Sequence, residues 1–306
     1  MLPILARSCD RLLSRWLAKR VRRPTSDLPQ PQFVPDSPDV LRWPDVIEPA
    51  IERIKDDLCR FQATSPVPSL CQETQTIHGR ILGPENARCA VVILHGAYGE
   101  YVNCEMMARS FVKRGFRALI PAAPYHLERT PKGVKSGNTL FWSSSLVVAG
   151  VAQWLMENHG LIQWLRATGA QRVGLVGYSI GSLTAGLAAT LWPDLDFAIL
   201  LAPVGHHLEA IHQSPAAARF WPWMREVSSA ESDLFDRWAP RYRESVTRNL
   251  LFLITRYDEL QPAALQRAWR SAWNDPPQHD YRHGHISICF SRVLYRDLET
   301  FATENA

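Results

Sequence analysis

The stretch RVGLVGYSIGSLTAGLAA, residues 172–189, decides the fold of this 306-residue chain. A short apolar run comes first, then the pentapeptide GYSIG (177–181), then small residues that suit a helix. Strand, sharp turn and helix are the context in which G-x-S-x-G presents a serine hydroxyl above a sheet. Glycines on both sides of Ser179 let the strand and the helix pass closely without Cβ clashes. The alternative is that Ser179 only caps a helix.

Apolar strands alternate with helices along most of the chain, and this pattern predicts an α/β fold. We expect a mostly parallel central sheet with helices on both faces. The predicted strands are 76–82, 89–94, 116–121, 172–176, 197–201 and 250–255. The predicted helices are 101–114, 139–168 with an interruption near Gly160, the helix after Ser179, 262–273 and 286–303.

One interval, 205–248, breaks this rhythm because it has no strand signal and is rich in aromatic residues. A segment much longer than an ordinary connection predicts a helical cap insertion over a pocket. The alternative is a helical bulge whose tryptophans fill its own core. His206, His207 and His212 lie in this interval without a metal-ligand pattern, so we expect ordinary cap or loop positions for them.

The chain divides into three parts by composition. Residues 1–23 predict a basic amphipathic helix, residues 24–69 a proline-rich connector with a helix at 45–62, and residues 70–306 the α/β domain. Residues 1–23 contain seven basic residues and one acidic residue. Since the whole chain carries +4, this segment is +6 and the remainder is −2. Three interpretations stay open for the segment: peripheral contact with a membrane surface, docking on the main body, and targeting.

The overall composition, with 46% apolar and 21% charged residues, is that of an ordinary globular protein. No apolar stretch reaches the ~18 residues expected of a membrane span. The negative balance of the main body argues against nucleic acid as a partner. Six scattered cysteines without metal spacing suggest a reducing compartment, so we expect a cytoplasmic protein with membrane association as the open alternative. The oligomeric state is not predicted.

Candidate partners for Ser179 follow it in the order acid, then histidine. Asp258 comes just after the strand 250–255, at the sheet edge where ligand chemistry gathers, and Glu259 is the neighbouring alternative. His285 and His283 compete for the role of base, and Gly284 before His285 favours His285. A serine hydroxyl needs such a base because its own pKa is far too high for unaided attack.

The segment HGAYG, residues 95–99, directly follows the predicted strand 89–94. We expect the backbone N–H groups of Ala97 and Ile180 to form the oxyanion hole. His95 is predicted to order this loop through hydrogen bonds.

Together, HGAYG, GYSIG, YDELQP (257–262) and GHIS (284–287) resemble the motifs of the α/β-hydrolase superfamily over roughly residues 70–305. Within it, the chain looks similar to single-domain ester and lipid hydrolases. The resemblance implies acyl transfer to water through an acyl-enzyme, with no cofactor and no metal. We therefore expect a serine hydrolase that cleaves carboxylic esters, with acyl lipids as a candidate class. The alternatives are a catalytically silent binding protein of the same fold, a peptidase, or a membrane-surface adaptor acting through residues 1–23.

Overall fold

One sheet forms the centre of the part of the chain that the structure describes. The computed structural model describes 33–69 and 71–305, together with Ser8, Arg11, Leu12, Arg15, Lys19, Val21 and Pro31. The strands are β1 (Ala50–Lys55), β2 (Leu58–Thr64), β3 (Thr76–Leu82), β4 (Cys89–Leu94), β5 (Arg117–Pro121), β6 (Arg172–Tyr178), β7 (Phe197–Leu201), β8 (Leu250–Thr255) and β9 (Gln278–Tyr281). Their order in the sheet is β1-β2-β3-β5-β4-β6-β7-β8-β9. β1, β2 and β3 pair in antiparallel fashion up to β5, and every later pair is parallel, which confirms the predicted sheet.

Helices cover both faces of this sheet. The α-helices are α1 (Tyr101–Val112), α2 (Ser144–Ala167), α3 (Ile180–Leu191), α4 (His207–Gln213), α5 (Pro215–Phe220), α6 (Ser229–Arg237), α7 (Ala263–Ala272) and α8 (Arg292–Asn305). Short 3-10 helices lie at Pro38–Val40, Gln72–Gln75, Leu127–Arg129, Thr139–Phe141, Pro222–Met224, Pro240–Tyr242 and Ser287–Phe290. Alternate residues of β4 enter opposite cores: Val92 packs with α2 and α3, and Val91 with α1 and α8. Burial on both faces explains why the parallel strands are almost entirely apolar.

The register of the central strands gathers their carboxyl ends at one edge. Leu94 of β4 lies opposite Gly177 of β6, and Tyr178 lies opposite Leu201 of β7. On the far side, Thr255 of β8 lies opposite Tyr281 of β9. The loops that follow these strands therefore start close together, and they carry the residues of the candidate site.

The predicted helix at 45–62 is wrong: this segment forms the hairpin of β1 and β2. The helical apolar spacing depended on Ile51 and Ile54, which are 43% and 45% exposed on an edge strand and face no core. In β2, Phe61 and Ala63 are buried while their neighbours are exposed, which is the two-residue period of a strand. Pairing with β3 supplies the backbone hydrogen bonds, and this long-range contact overrides the local pattern.

Other boundaries also differ from the prediction. Helix α2 runs through Gly160 without the predicted interruption, and an added Cβ there would lie only 2.5 Å from Ile47. Glycine at this position therefore serves helix packing rather than a break. The short strand β9, sequence QHDY, gave no apolar signal and was not predicted. The predicted terminal helix begins as the 3-10 turn Ser287–Phe290 before α8.

Residues 33–47 of the proline-rich connector form a strap across the cap insertion. The indole N–H of Trp238 donates to the carbonyl of Pro35 at 3.1 Å. Arg237 pairs with Asp36 at 2.7 Å, and Arg243 binds both carboxylate oxygens of Asp39. The predicted cap insertion itself contains α4, α5 and α6 and lies between β7 and β8. The strap thus ties the cap to the body from the outside.

A buried ion pair joins α2 to the loop after β5. Arg129 and Glu157 are both about fully buried, and two guanidinium nitrogens reach the two carboxylate oxygens at 2.7 and 2.6 Å. Arg129 also donates to the carbonyls of Ala122 and Thr74, and Ser65 donates to Glu157. Hydrogen bonds on both partners offset the cost of burying the two charges.

Most of the predicted N-terminal helix, residues 1–23, lies outside the described residues, as do the connector residues 24–30 and 32. Of the described ones, Arg11 forms an ion pair of 2.6 Å with Glu259. None of the helices in the described part of the chain has the length and apolar composition that a membrane crossing requires.

Candidate active site

Ser179 lies at a sharp turn between β6 and α3. Its backbone angles, φ 56° and ψ −121°, fall in a region that residues other than glycine rarely adopt. The N–H of Ser179 donates to the carbonyl of Leu201 at 3.0 Å, and the hydroxyl of Ser182 donates to the carbonyl of Ser179 at 2.5 Å. Hydrogen bonds on both sides of the residue thus hold it in this strained conformation.

The two glycines of the pentapeptide are required by close backbone approach, as predicted. An added Cβ on Gly177 would lie 2.3 Å from the carbonyl oxygen of Gly181. An added Cβ on Gly181 would lie 2.2 Å from the carbonyl oxygen of Leu94. Both distances are far below van der Waals contact with backbone atoms, so any larger residue would force β6, α3 and β4 apart.

His285 contacts both other members of the predicted triad. Its Nε2 lies 2.8 Å from the hydroxyl oxygen of Ser179, and its Nδ1 lies 2.7 Å from Oδ2 of Asp258. All three residues are buried. An acid at Nδ1 favours the tautomer in which Nδ1–H donates to the carboxylate and Nε2 accepts the serine hydroxyl.

The carboxylate of Asp258 is held by five hydrogen bonds. Oδ1 accepts the backbone N–H groups of Leu260 and Gln261 at 2.9 and 2.7 Å. Oδ2 accepts the hydroxyl of Thr255 at 2.8 Å and the side-chain amide of Gln266 at 3.4 Å, in addition to Nδ1–H of His285. Because both oxygens are engaged, the carboxylate cannot rotate away from the imidazole without losing several bonds.

Gln266 of α7 was not predicted, yet it holds the loop that carries Asp258. Its side-chain carbonyl accepts the N–H of Thr255 at 3.0 Å. Its amide group donates to the hydroxyl of Thr255 at 2.8 Å and to the carbonyl of Gln261 at 2.7 Å. A polar residue at 0% exposure on an otherwise amphipathic helix is visible only once the tertiary contacts are known.

The competing candidates lie elsewhere. The carboxylate of Glu259 pairs with Arg11 at the surface, and its backbone carbonyl accepts the hydroxyl of Ser214. The structure brings His285, and not His283, to Ser179. The carbonyl of His283 accepts the N–H of Tyr257 at 2.9 Å, and burial lowers the pKa of the His283 imidazole.

Tyr178, inside the pentapeptide, supports the imidazole from one side. Its ring lies 5.3 Å from the ring of His285 at an angle of 34°, and its hydroxyl donates to the carbonyl of His285 at 2.7 Å. The contact positions His285 through both its ring and its backbone. The sequence offered no signal for this role because the x position of G-x-S-x-G has no required residue type.

Ala97 and Ile180, the predicted oxyanion donors, both line the cavity at Ser179. Within the described chain, the backbone N–H groups of these two residues have no hydrogen-bond partner. An added Cβ on Gly96 would lie 3.2 Å from Cβ of Ser179, so this loop approaches the serine closely. Two backbone donors without partners thus belong to residues that line the cavity at Ser179. Their role in charge stabilisation stays a prediction.

His95 orders the predicted oxyanion loop (residues 95–100), called the oxyanion loop from here on, through both ring nitrogens. Nδ1 lies 2.8 Å from the carbonyl oxygen of Gly96, and Nε2 accepts the N–H of Ala123 at 3.0 Å. The N–H of Gly99 also donates to the carbonyl of Gly96 at 3.0 Å. Because a trans peptide points its C=O and N–H in opposite directions, fixing the Gly96 carbonyl fixes the N–H of Ala97. Burial lowers the pKa of His95 to about 4, so the ring is neutral at pH 7.

A cavity of about 80 Å³ opens next to Ser179, between the body and the cap insertion. Its walls are mostly apolar and aromatic, and none of its lining residues is Lys, Arg, Asp or Glu. His207 was predicted to occupy an ordinary cap or loop position, but it lines this cavity. His206 and His212 do fill structural positions, with contacts to Asp236 at 2.7 Å and to the carbonyl of Arg225 at 3.2 Å.

The family described as alpha/beta hydrolase domain containing 18 matches residues 59–204. No curated protein sequence matches the chain.

Similar solved structures include an acetyl xylan esterase from Paenibacillus sp. R4, with 15% identity and a TM-score of 0.61 over 84% of this chain and 89% of that one. A cold-adapted esterase from an Arctic intertidal metagenomic library has 17% identity and a TM-score of 0.54, covering 87% of this chain and 100% of its own. The Pyrococcus horikoshii acylaminoacyl peptidase has 15% identity and a TM-score of 0.57, over 84% of this chain but 41% of its own. The sheet order, the family match and these shared folds lead to one conclusion: the chain belongs to the α/β-hydrolase superfamily.

Proposed function

We propose that the chain is a serine hydrolase that cleaves carboxylic esters, with Ser179 as nucleophile, His285 as base and Asp258 as the acid. One observation carries the proposal: a single imidazole is hydrogen-bonded to a serine hydroxyl at 2.8 Å and to a carboxylate at 2.7 Å. This is the arrangement that activates a serine for acyl transfer.

In the first half-reaction, Nε2 of His285 removes the proton of Ser179 while its oxygen attacks the ester carbonyl. The resulting imidazolium is stabilised by the carboxylate of Asp258. The tetrahedral intermediate collapses when the imidazolium returns its proton to the leaving alcohol, and the acyl group stays on Ser179.

In the second half-reaction, His285 removes a proton from water, which attacks the acyl-enzyme. When the second tetrahedral intermediate collapses, the imidazolium returns this proton to the oxygen of Ser179, which restores the hydroxyl and releases the carboxylic acid. In both intermediates the negative oxygen would accept the N–H groups of Ala97 and Ile180. One such donor is typically worth about 10²–10³ in kcat.

The volume of the cavity limits the size of the acyl group that a substrate can place in it. This volume of about 80 Å³ is smaller than the ~150 Å³ of a cavity that holds benzene, so a short acyl chain suits it. Acyl lipids remain part of the proposal, but a long chain must extend through the mouth or displace the cap insertion. Esterases and an acylaminoacyl peptidase share this fold, so an amide is the second bond type to test.

A fluorophosphonate probe tests the nucleophile. We expect labelling of the wild type and of the control His283→Ala, and loss of labelling in Ser179→Ala and His285→Ala. Labelling of Ser179→Ala would identify another nucleophile and would refute the proposal. A panel of p-nitrophenyl esters from acetate to palmitate, with N-acetyl-alanine p-nitroanilide beside it, then separates esterase from peptidase activity and measures the preferred chain length.

Contact between residues 1–23 and an anionic membrane is a separate proposal, which its +6 charge supports. The Arg11–Glu259 ion pair supports the alternative of docking on the body. Deletion of residues 1–23 should abolish binding to phosphatidylserine vesicles if the first interpretation holds. Vesicle binding that survives the deletion would remove it.

A further inference from the structure

The cavity beside Ser179 contains polar side chains that the proposed reaction does not use. Three of its polar lining residues, Tyr178, Ser179 and His285, make the hydrogen bonds described above. Each of the other four has a buried side-chain atom without a hydrogen-bond partner within the described chain. These atoms are Oη of Tyr98, Nε2 of His207, Nε1 of Trp221 and Oε1 of Gln261. The indole N–H of Trp221 lies near Oη of Tyr98 and interacts with it weakly, outside hydrogen-bond geometry.

Buried polar groups in folded proteins are nearly always paired, because leaving one unpaired destabilises the fold. An unpaired group at a binding cavity therefore points to a partner that arrives with the ligand. In this cavity the four groups come from three separate segments: the oxyanion loop, the cap insertion and the loop after Asp258. Independent segments converging on one space are typical of a built subsite.

Three of the four residues belong to one continuous aromatic wall, which we define as Tyr98, Phe141, His207 and Trp221. The ring of Phe141 lies 6.2 Å from Tyr98, 5.3 Å from His207 and 4.5 Å from Trp221. The rings of His207 and Trp221 are 5.1 Å apart. Tyr98 adjoins the oxyanion donor Ala97, so the wall begins next to the carbon that would be attacked.

The chemistry of the wall restricts what it can bind. No charged side chain lines the cavity, so nothing there would compensate a charged acyl group for its lost hydration. Burial lowers the pKa of His207 to about 3, which leaves this imidazole neutral under ordinary conditions. A tyrosine hydroxyl, an indole N–H and a neutral imidazole can all donate to an uncharged oxygen.

We infer that the aromatic wall is a subsite for a neutral oxygen atom on the acyl chain, such as an ether, hydroxyl or ketone oxygen a few atoms from the ester carbonyl. The position of this oxygen relative to the carbonyl rests on the proposed function. The substrate class is then a short oxygen-substituted acyl ester rather than a plain alkanoate.

Matched ester pairs test the subsite, since an ether oxygen can replace one methylene at nearly constant shape. The pairs are p-nitrophenyl 3-methoxypropanoate with pentanoate, and 4-methoxybutanoate with hexanoate. In at least one pair, the wild type should have the higher kcat/KM for the ether. Tyr98→Phe and His207→Phe should each lower this ether-to-alkyl ratio by about two- to tenfold, the worth of one neutral hydrogen bond.

Tyr242→Phe is the matched control, because the hydroxyl of Tyr242 binds Glu209 on the outside of the cap insertion. It should leave the ratio unchanged. If Tyr98→Phe does not fold, His207→Phe carries the test. A wild type that prefers both alkyl esters, or a ratio that neither variant changes, would overturn the subsite.

Binding without turnover separates this inference from the proposed reaction. Tryptophan fluorescence can follow titration of the wild type with hexanamide and 4-methoxybutanamide, since Trp221 lines the cavity. If no ester is cleaved but the ether amide binds more tightly and Tyr98→Phe removes the difference, the proposed function fails and the subsite stands. Equal binding of the two amides, or binding of neither, would refute the subsite even in an active enzyme.

Discussion

Replacement of His95 tests how the oxyanion loop is held, because this one side chain, 1% exposed, joins it to the body. The variant His95→Leu removes the hydrogen bond to the Gly96 carbonyl and the one from the Ala123 N–H. The Gly96 carbonyl keeps the N–H of Gly99 as a partner, whereas the buried N–H of Ala123 loses its only acceptor in the described chain.

Two different losses follow from these contacts. The unpaired N–H of Ala123 should lower the free energy of unfolding by about 1–3 kcal/mol. Release of the Gly96–Ala97 peptide should lower kcat by up to about 10²–10³, the usual worth of one oxyanion donor, or about 2.7–4 kcal/mol of activation free energy.

Two further variants separate these losses. In His95→Asn the side-chain amide can still donate to Gly96 in place of Nδ1, so we expect most of kcat to remain. In His95→Gln the side-chain carbonyl can still accept from Ala123 in place of Nε2, so we expect stability to remain while kcat falls. Steady-state turnover of p-nitrophenyl butanoate and urea unfolding at pH 7 measure the two quantities. His95 does not position the N–H of Ala97 if folded His95→Leu keeps kcat within threefold of the wild type. The same conclusion follows if His95→Asn and His95→Gln have equal kcat and equal stability.

Three other predictions follow from the buried polar groups. Asp258→Asn should lower kcat by about 10⁴ because the amide stabilises the wrong tautomer, whereas Glu259→Gln should stay within threefold of the wild type in the same ester assay; equal losses would contradict the assignment. Arg129→Met should lower the free energy of unfolding by about 3–5 kcal/mol because it leaves the buried Glu157 carboxylate without a counter-ion, and adding Glu157→Leu should restore most of this stability in urea titrations. Burial lowers the pKa of the His95 imidazole to about 4 and the pKa of the His126 and His207 imidazoles to about 3. The unfolded chain binds a proton at each of these imidazoles more readily than the folded chain does. The stability that each neutral buried imidazole contributes is therefore complete above pH 6.5 and is lost as the pH falls towards the pKa of the folded state. Urea unfolding at pH 7 and pH 5 should differ by about 1–2 kcal/mol per imidazole, and a pH-independent stability would contradict this.

Much of the central fold could be predicted because its determinants are local. The apolar runs 89–94, 197–201 and 250–255 coincide with β4, β7 and β8. The turn at Ser179 could be predicted from the two glycines beside it, because tight packing of the strand against the helix leaves no room for a Cβ at either position. The hairpin of β1 and β2 escaped prediction because its pairing with β3 is a contact between distant segments, and its exposed isoleucines imitate a helical pattern.

The site shows the same division. Residue order and loop position narrowed the acid to Asp258 or Glu259 and the base to His285 or His283, since strand ends can be located from sequence. Which member of each pair reaches Ser179 depends on side-chain direction, and direction is set by the hydrogen bonds that the whole loop makes. The sequence by itself determined the central parallel strands and the serine turn, because both depend on neighbouring residues. Only the tertiary structure decided which of the candidate acids and histidines meet at Ser179, and only it formed the aromatic wall of the cavity, because both arise where segments far apart in the chain meet.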